Sequence, residues 1–258
     1  MGQLEVRKFL ILRGIWGFGG LTTSWYAVQL LSLSDATVLS FIAPIFTGIL
    51  GRLVLKESYE GLDVISGLVS LSGVVLVARP KGIFGDLELD LGEKRDSLER
   101  NLGIGLALIS AFFASSAFIT IRYIGKRAKP QQLINYFSLV CIFLSLLSLL
   151  PIFQLKPWIL PCHLKTYAGL LLLSTAAYAG QIFLSRALQL EKAGKISTLN
   201  YTQVVFAFLL EWSVLGTSPN FWSILGSLII GISVMTVSWL KLYQLHNPIH
   251  HIEENSKV

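Results

Sequence analysis

The chain has 258 residues, of which 53% are apolar and 14% charged, with a mean hydropathy of +0.65 and a net charge of +6. Soluble domains run nearer about 45–50% apolar and about 25% charged, and so few charges cannot cover a soluble fold of this size. The composition excludes a soluble enzyme, a disordered chain and a disulfide scaffold, and describes a polytopic membrane protein.

A bilayer core about 30 Å thick is crossed by about 20 apolar residues at about 1.5 Å rise each. Eight windows meet that length: 9–30, 36–55, 62–79, 102–124, 133–153, 166–187, 196–216 and 221–240. They are uninterrupted apolar runs and not ten-residue alternating segments, which excludes a β-barrel. The fold class is therefore all-α, with eight predicted transmembrane helices. The first window contains Arg13 and ends without a small-residue cleavage site, so it is not a signal peptide. Lys and Arg fall thirteen to one side of these windows and seven to the other, with the N-terminal Arg7 and Lys8 on the richer side. The positive-inside rule then places both termini in the cytoplasm. Basic residues scattered over short loops do not make a nucleic-acid surface.

Residues 27–30 (Ala-Val-Gln-Leu) match residues 187–190 (Ala-Leu-Gln-Leu), and Phe46, Leu50 and Leu55 fall on Phe206, Leu210 and Leu215 at the same offset. The first three windows thus correspond to the last three. Five windows separate the copies, an odd number, so the second copy crosses the membrane in the opposite sense. Inverted repeats of this kind are a plan of secondary transporters, with the substrate near the midplane between the halves.

Arg13-Gly14, Leu33-Ser34-Asp35-Ala36-Thr37, Ala43-Pro44-Ile45-Phe46-Thr47 and Leu55-Lys56-Glu57 resemble the first-half signature of EamA-type transporters of the drug/metabolite transporter superfamily. Asn200-Tyr201-Thr202-Gln203-Val204-Val205-Phe206-Ala207 and Gly216-Thr217-Ser218-Pro219 look most like group G of solute carrier family 35. The resemblance implies ten helices in two five-helix repeats with cytoplasmic termini. The match begins at the third family helix, so the first two are expected to be absent, and Thr217 stands where the first copy has Glu57. The expected organisation is a partial first repeat of three helices (1–79), a non-cytoplasmic linker loop (80–101), a second repeat of five helices (102–240) and a cytoplasmic tail (241–258).

Polar side chains at membrane depth usually face a bundle interior or a cavity. Ser174, Tyr178, Gln181 and Ser185 share one face of the sixth window, and Asn200, Gln203 and Glu211 share one face of the seventh. Two such stripes suit the wall of one cavity; the competing reading is interhelical hydrogen bonding, worth about 0.6 kcal/mol per contact. Glu211 is either a proton-coupling carboxylate or one reaching the outer interface beside Trp212. In the first half Pro44 is expected to kink its helix and free carbonyls toward a cavity, with Thr47 on the same stripe. Arg13, four residues into its window, reads either as a topology anchor snorkelling to the cytoplasmic face or as a counter-ion for an anionic substrate. Gly14, Gly17 and Gly20, and Ala107, Ala111 and Ser115, have the spacing of close helix packing.

Cys141 and Cys162 lie at different depths and form no metal or disulfide framework. The linker carries six acids without a calcium-loop motif, and His246, His250 and His251 fall in the tail. Neither a phosphate-binding Gly-rich motif nor a Ser-His or His-Glu pair within a span is present, so no cofactor and no enzymatic activity are expected. These readings converge on a secondary transporter of a small organic metabolite by alternating access, the alternative being a non-transporting regulatory or truncated relative. The expected partners are the solute, the lipid bilayer and, as a further candidate, a second copy of the chain.

Overall fold

The computed structural model describes residues 4–57, 61–78, 97–148, 164–215 and 221–246, and among them every regular element is a helix. In chain order these are α1 (Leu4–Leu30), α2 (Leu33–Ser40), α3 (Ala43–Val54), α4 (Gly61–Ala78), α5 (Ser97–Ile124), α6 (Pro130–Ser148), α7 (Leu164–Leu190), α8 (Ala193–Leu199), α9 (Thr202–Leu215) and α10 (Phe221–His246), with a 3-10 turn over Gly125–Arg127. Among the described residues, five stretches are long and apolar enough to cross a membrane: Leu33–Val54, Gly61–Ala78, Leu98–Arg127, Pro130–Leu147 and Lys165–Leu190. The chain is a membrane protein whose described residues form an all-helical fold, and each predicted window falls on helix where it is described, except at Phe41-Ile42, Leu55 and Asn200-Tyr201. The linker acids up to Asp96 lie outside the described residues, as do Cys162, His250 and His251. Helix α5 begins at Ser97, inside the stretch expected to be linker.

Two of the windows are broken helices. The chain between α2 and α3 turns at Phe41-Ile42, and that between α8 and α9 turns at Asn200-Tyr201. Pro44 does not kink a continuous helix, as expected, but sits in the first turn of α3, where its missing N–H has no helical acceptor to lose. Two carbonyls beside this break take side-chain hydroxyls. Tyr201 donates its hydroxyl to the Phe41 carbonyl at 3.0 Å, and Ser115 donates to the Ala43 carbonyl at 2.8 Å. The two breaks therefore touch, with the Phe41 and Tyr201 rings stacked at 5.7 Å. The second break has no proline. Its backbone tightens to short-range bonds, from Asn200 N–H to the Ser197 carbonyl and from Tyr201 N–H to the Thr198 carbonyl, both at 3.2 Å.

Small residues govern the closest helix packing. Helix α1 lies along α5, where Ala107, Ala111 and Ser115 are fully buried. On the other side of α1, Gly14 and Gly17 receive Val140 and Phe137 of α6 so closely that a Cβ would come within 2.8 and 2.6 Å of them. Helices α4 and α10 cross at Gly73 and Gly226, where a Cβ on Gly226 would lie 2.5 Å from the Gly73 carbonyl oxygen. A hydrogen bond between the Ser66 and Ser233 hydroxyls, 3.0 Å long, ties the same pair of helices further along.

The end of the bundle holding the start of α1 is shut twice over. Val6 and Leu10 pack with Ile119, Ile121, Ile124, Leu133, Leu188 and Ile196 into one buried cluster. Beside it Glu57, just past α3, accepts from Arg122 Nε at 2.6 Å and from the Ala193 N–H at the start of α8 at 3.0 Å. Arg122 also donates to the Gln189 carbonyl near the end of α7 at 3.3 Å. Lys56 adopts φ 54°, a left-handed conformation that costs an L residue about 1–2 kcal/mol. That turn separates Glu57 from the helix so that its carboxylate meets both partners. By contrast, Leu170, Leu171, Leu172 and Leu173 of α7 are all exposed, an apolar surface suited to lipid contact.

Candidate functional site

A cavity of about 700 Å³ lies between α1, α5, α6 and α7, within the range of about 300–1,000 Å³ usual for small-molecule sites. Each helix turns one face toward it. From α1 come Arg13, Gly17, Gly20 and Ser24, at steps of four, three and four; from α7 come Ser174, Tyr178 and Gln181, at steps of four and three. Both sets follow the helical period, so a single side of each helix lines the space. The floor is apolar: Ile121, Phe118 and Leu184 belong to, or pack on, the buried cluster that closes this end of the bundle.

Arg13 is the charged group in the lining. It is packed inside the bundle, only 4% exposed. Its Nη2 donates to Gln181 Oε1 at 2.9 Å, and the guanidinium carbon stands 4.0 Å from the centre of the Phe137 ring. Gly17, one turn on from Arg13, leaves the room that the Phe137 ring fills. Nε and Nη1 of Arg13 are buried without a hydrogen-bond partner among the described residues.

The structure brings four of the sequence-predicted site residues together: Arg13, Ser174, Tyr178 and Gln181. Ser185, on the same predicted stripe, is buried away from the cavity with its hydroxyl unpaired among the described residues. The other candidates lie elsewhere. Thr47 is fully buried and returns its hydroxyl to the Ala43 carbonyl at 2.9 Å; Pro44 is buried beside the first break. Asn200 is half-buried at the second break, and Gln203 faces outward on α9. Glu211 is on α9, with its side chain outside the described part. The cavity partners of the α7 stripe are therefore on α1, α5 and α6, not on α9. Ser40, on the same first-half stripe as Pro44 and Thr47, also lines the space, as do Ser24, Ser110, Phe137 and Ser138, which were missed. A usable signal existed for α1, since Arg13, Gly17, Gly20 and Ser24 share a face, but glycines read as packing hide a wall built around them.

A model of the EamA-like transporter family matches residues 2–79 and 101–239. The chain belongs to that family. Among its relatives, a probable transport protein of Saccharomyces cerevisiae is 35% identical over 245 residues, covering 92% of this chain and 69% of the yeast protein. Solute carrier family 35 member G1 of Homo sapiens is 34% identical over 245 residues, covering 95% of this chain and 66% of the human protein. The chain thus spans about two thirds of the length of these relatives. A crystal structure that is 16% identical superposes with a TM-score of 0.69, over 89% of this chain and 76% of that one. That likeness shows a shared helical fold. The first-half resemblance to EamA-type transporters and the second-half resemblance to group G of solute carrier family 35 are both upheld by these relatives.

Proposed function

We infer that this EamA-family chain is a secondary transporter of a small organic metabolite, working by alternating access around the cavity between α1, α5, α6 and α7. The observation that carries the reading is the cavity itself: a mostly apolar space of about 700 Å³ between helices, with Arg13, Gln181 and Tyr178 converging on it. The inverted repeat is supported by the helix boundaries. Helix α1 ends at Leu30 and α7 at Leu190, α2 starts at Leu33 and α8 at Ala193, and the breaks meet at Phe41 and Tyr201, each pair 160 residues apart. In this reading both termini are cytoplasmic, the apolar cluster and the Glu57–Arg122 pair form the closed cytoplasmic gate, and residues 80–101 link the halves on the other side. Gln203, Asn200, Thr47 and Pro44 then serve the hinges, while Glu211 is the candidate for proton coupling.

Uptake of a radiolabelled solute panel into proteoliposomes, with a pH gradient on and off, tests the reading. Saturable uptake of at least one solute, reduced by Gln181→Ala, is expected. Absence of saturable uptake for every solute would favour a non-transporting relative. Transport indifferent to pH and unaltered by Glu211→Gln would remove the proton-coupling role and leave the carrier reading in place.

A further inference from the structure

Arg13 is out of keeping with the wall it belongs to. The cavity surface is mostly apolar, and among the described residues the guanidinium stands against the Gln181 carbonyl oxygen, the Phe137 ring and the free Cys141 thiol. Among the described residues no carboxylate pairs with it, and two of its three nitrogens have no partner. A buried charge without a counter-charge is strongly unfavourable, and inside membranes such groups mark substrate or ion pathways. Nη2 carries two hydrogens and Gln181 takes one. The other is open to one charge-assisted bond with a carboxylate oxygen, while Nε and Nη1 are sealed within the wall.

We propose that the cavity takes a small organic acid bearing a single carboxylate, held by Arg13, with an apolar or hydroxylated body packed between Phe118, Phe137 and Tyr178. The assignment rests on the carrier reading above for the cavity being the substrate site. One guanidinium neutralises one negative charge. A phosphate dianion or a dicarboxylate would carry a second charge into an apolar wall with no partner for it. A cation would be repelled, and a neutral amide would leave the guanidinium uncompensated. The stacked Phe137 and the Gln181 bond fix the orientation of the head group in advance, so little ordering remains to be done on binding.

The test is ligand-dependent thermal stabilisation of the full chain in detergent by lactate, benzoate and phenylacetate, each beside its neutral amide, with phenyl phosphate and benzylamine as charge controls. At least one carboxylate is expected to stabilise at millimolar concentration while its amide does not. Arg13→Gln should weaken that carboxylate by about tenfold or more, the loss typical of one charge-assisted hydrogen bond, and Arg13→Lys by less. Gln181→Ala keeps the charge and should weaken binding less than Arg13→Gln. Oleate distinguishes the source of the carboxylate: stabilisation by oleate, abolished by Arg13→Gln, supports the same head-group site reached from the bilayer. Equal stabilisation by acid and amide, carboxylate binding unchanged in Arg13→Gln, or no stabilisation by any carboxylate overturns the proposal. Proteoliposome uptake separates the two levels. Arg13-dependent binding without uptake would sink the carrier reading alone, and saturable uptake of neutral or cationic solutes indifferent to Arg13 would sink the acid assignment alone.

Discussion

Glu57 and Arg122 allow the closed end of the bundle to be tested as an energetic unit. Their side chains are 15% and 23% exposed, and Nε lies 2.6 Å from Oε1. At that separation and an effective dielectric of about 20 the gross attraction is about 6 kcal/mol. Desolvation removes most of it: exposed pairs retain about 0–1 kcal/mol, whereas removing one partner of a buried pair loses about 3–5. A mostly buried pair with a path to water falls between these, near 2 kcal/mol. Glu57 also accepts the Ala193 N–H at the start of α8, which adds about 0.5–1 kcal/mol through the helix dipole. Glu57→Gln should therefore destabilise by about 2–3 kcal/mol, a fall of about 4–12 °C in Tm at about 2–4 °C per kcal/mol. Thermal unfolding in detergent at one fixed scan rate, followed by circular dichroism, measures it. Arg122→Gln alone should lose about 2 kcal/mol, and the double variant should lose little more than Glu57→Gln, because the interaction is already gone. Single effects that add to within about 0.5 kcal/mol would refute the reasoning, since independence is the behaviour of residues that do not interact.

The contact between the helix breaks makes a second prediction. Tyr201→Phe keeps the stack on Phe41 but leaves the Phe41 carbonyl without its hydroxyl donor, and should lower stability by about 1–3 kcal/mol. Tyr178→Phe, an exposed tyrosine of the cavity lining, should lose less than 0.5, about the limit for surface changes. The α4–α10 crossing gives a sign test on one helix. At Gly226 a Cβ would meet the Gly73 backbone oxygen at 2.5 Å, whereas at Gly231 nothing lies within 4 Å. Gly226→Ala should then destabilise by about 1–3 kcal/mol or more, and Gly231→Ala should be neutral or stabilise by up to about 1. Thermal unfolding of the two variants in parallel decides this, and equal effects would contradict the crossing.

Much of the fold was legible because lipid imposes a simple rule: a spanning segment must be apolar and must satisfy its own backbone. Hydropathy therefore located helix in the described part of every window; the first ends at Leu30 as expected, whereas α7 runs on from the expected 187 to Leu190, where the repeated Ala-x-Gln-Leu tetrapeptide ends. The breaks at Phe41-Ile42 and Asn200-Tyr201 were not legible in the same way. A turn whose Phe41 and Ala43 carbonyls take the Tyr201 and Ser115 hydroxyls keeps the surrounding window as apolar as a straight helix. Pro44 pointed to the first break, though as a kink; at the second, nothing in the residue types distinguishes Asn200 from a polar member of a stripe. The cavity was half legible for a related reason. Periodicity identified the face of α7, but which helix it looks across at is a tertiary fact, and α1 supplies that wall where α9 was expected. Arg13 shows the limit most clearly. Its distance from the window edge fits snorkelling, yet the guanidinium is buried against Gln181 and Phe137, contacts that only the tertiary packing reveals.

The cavity and the first break adjoin along the chain. Ser40, the last residue of α2, lines the cavity, and the next residue, Phe41, supplies the carbonyl that Tyr201 holds. Ser115, which holds the Ala43 carbonyl on the far side of the break, sits on α5 between Ala114 and Ala117, and α5 turns Ala111, Ala114 and Ala117 toward the same cavity. A rotation of α2 against α3 therefore changes the cavity wall and strains two side-chain hydrogen bonds at once. The backbone itself resists that rotation weakly, since Pro44 has no N–H to give the Ser40 carbonyl. Resistance is concentrated in the Tyr201 and Ser115 hydroxyls, one from each side of the break, which is the arrangement expected where a helix must bend between two defined positions and not at random. At the opposite extreme, the Glu57–Arg122 pair and the apolar floor hold the start of α1 shut. Opening that end would require the ion pair to separate.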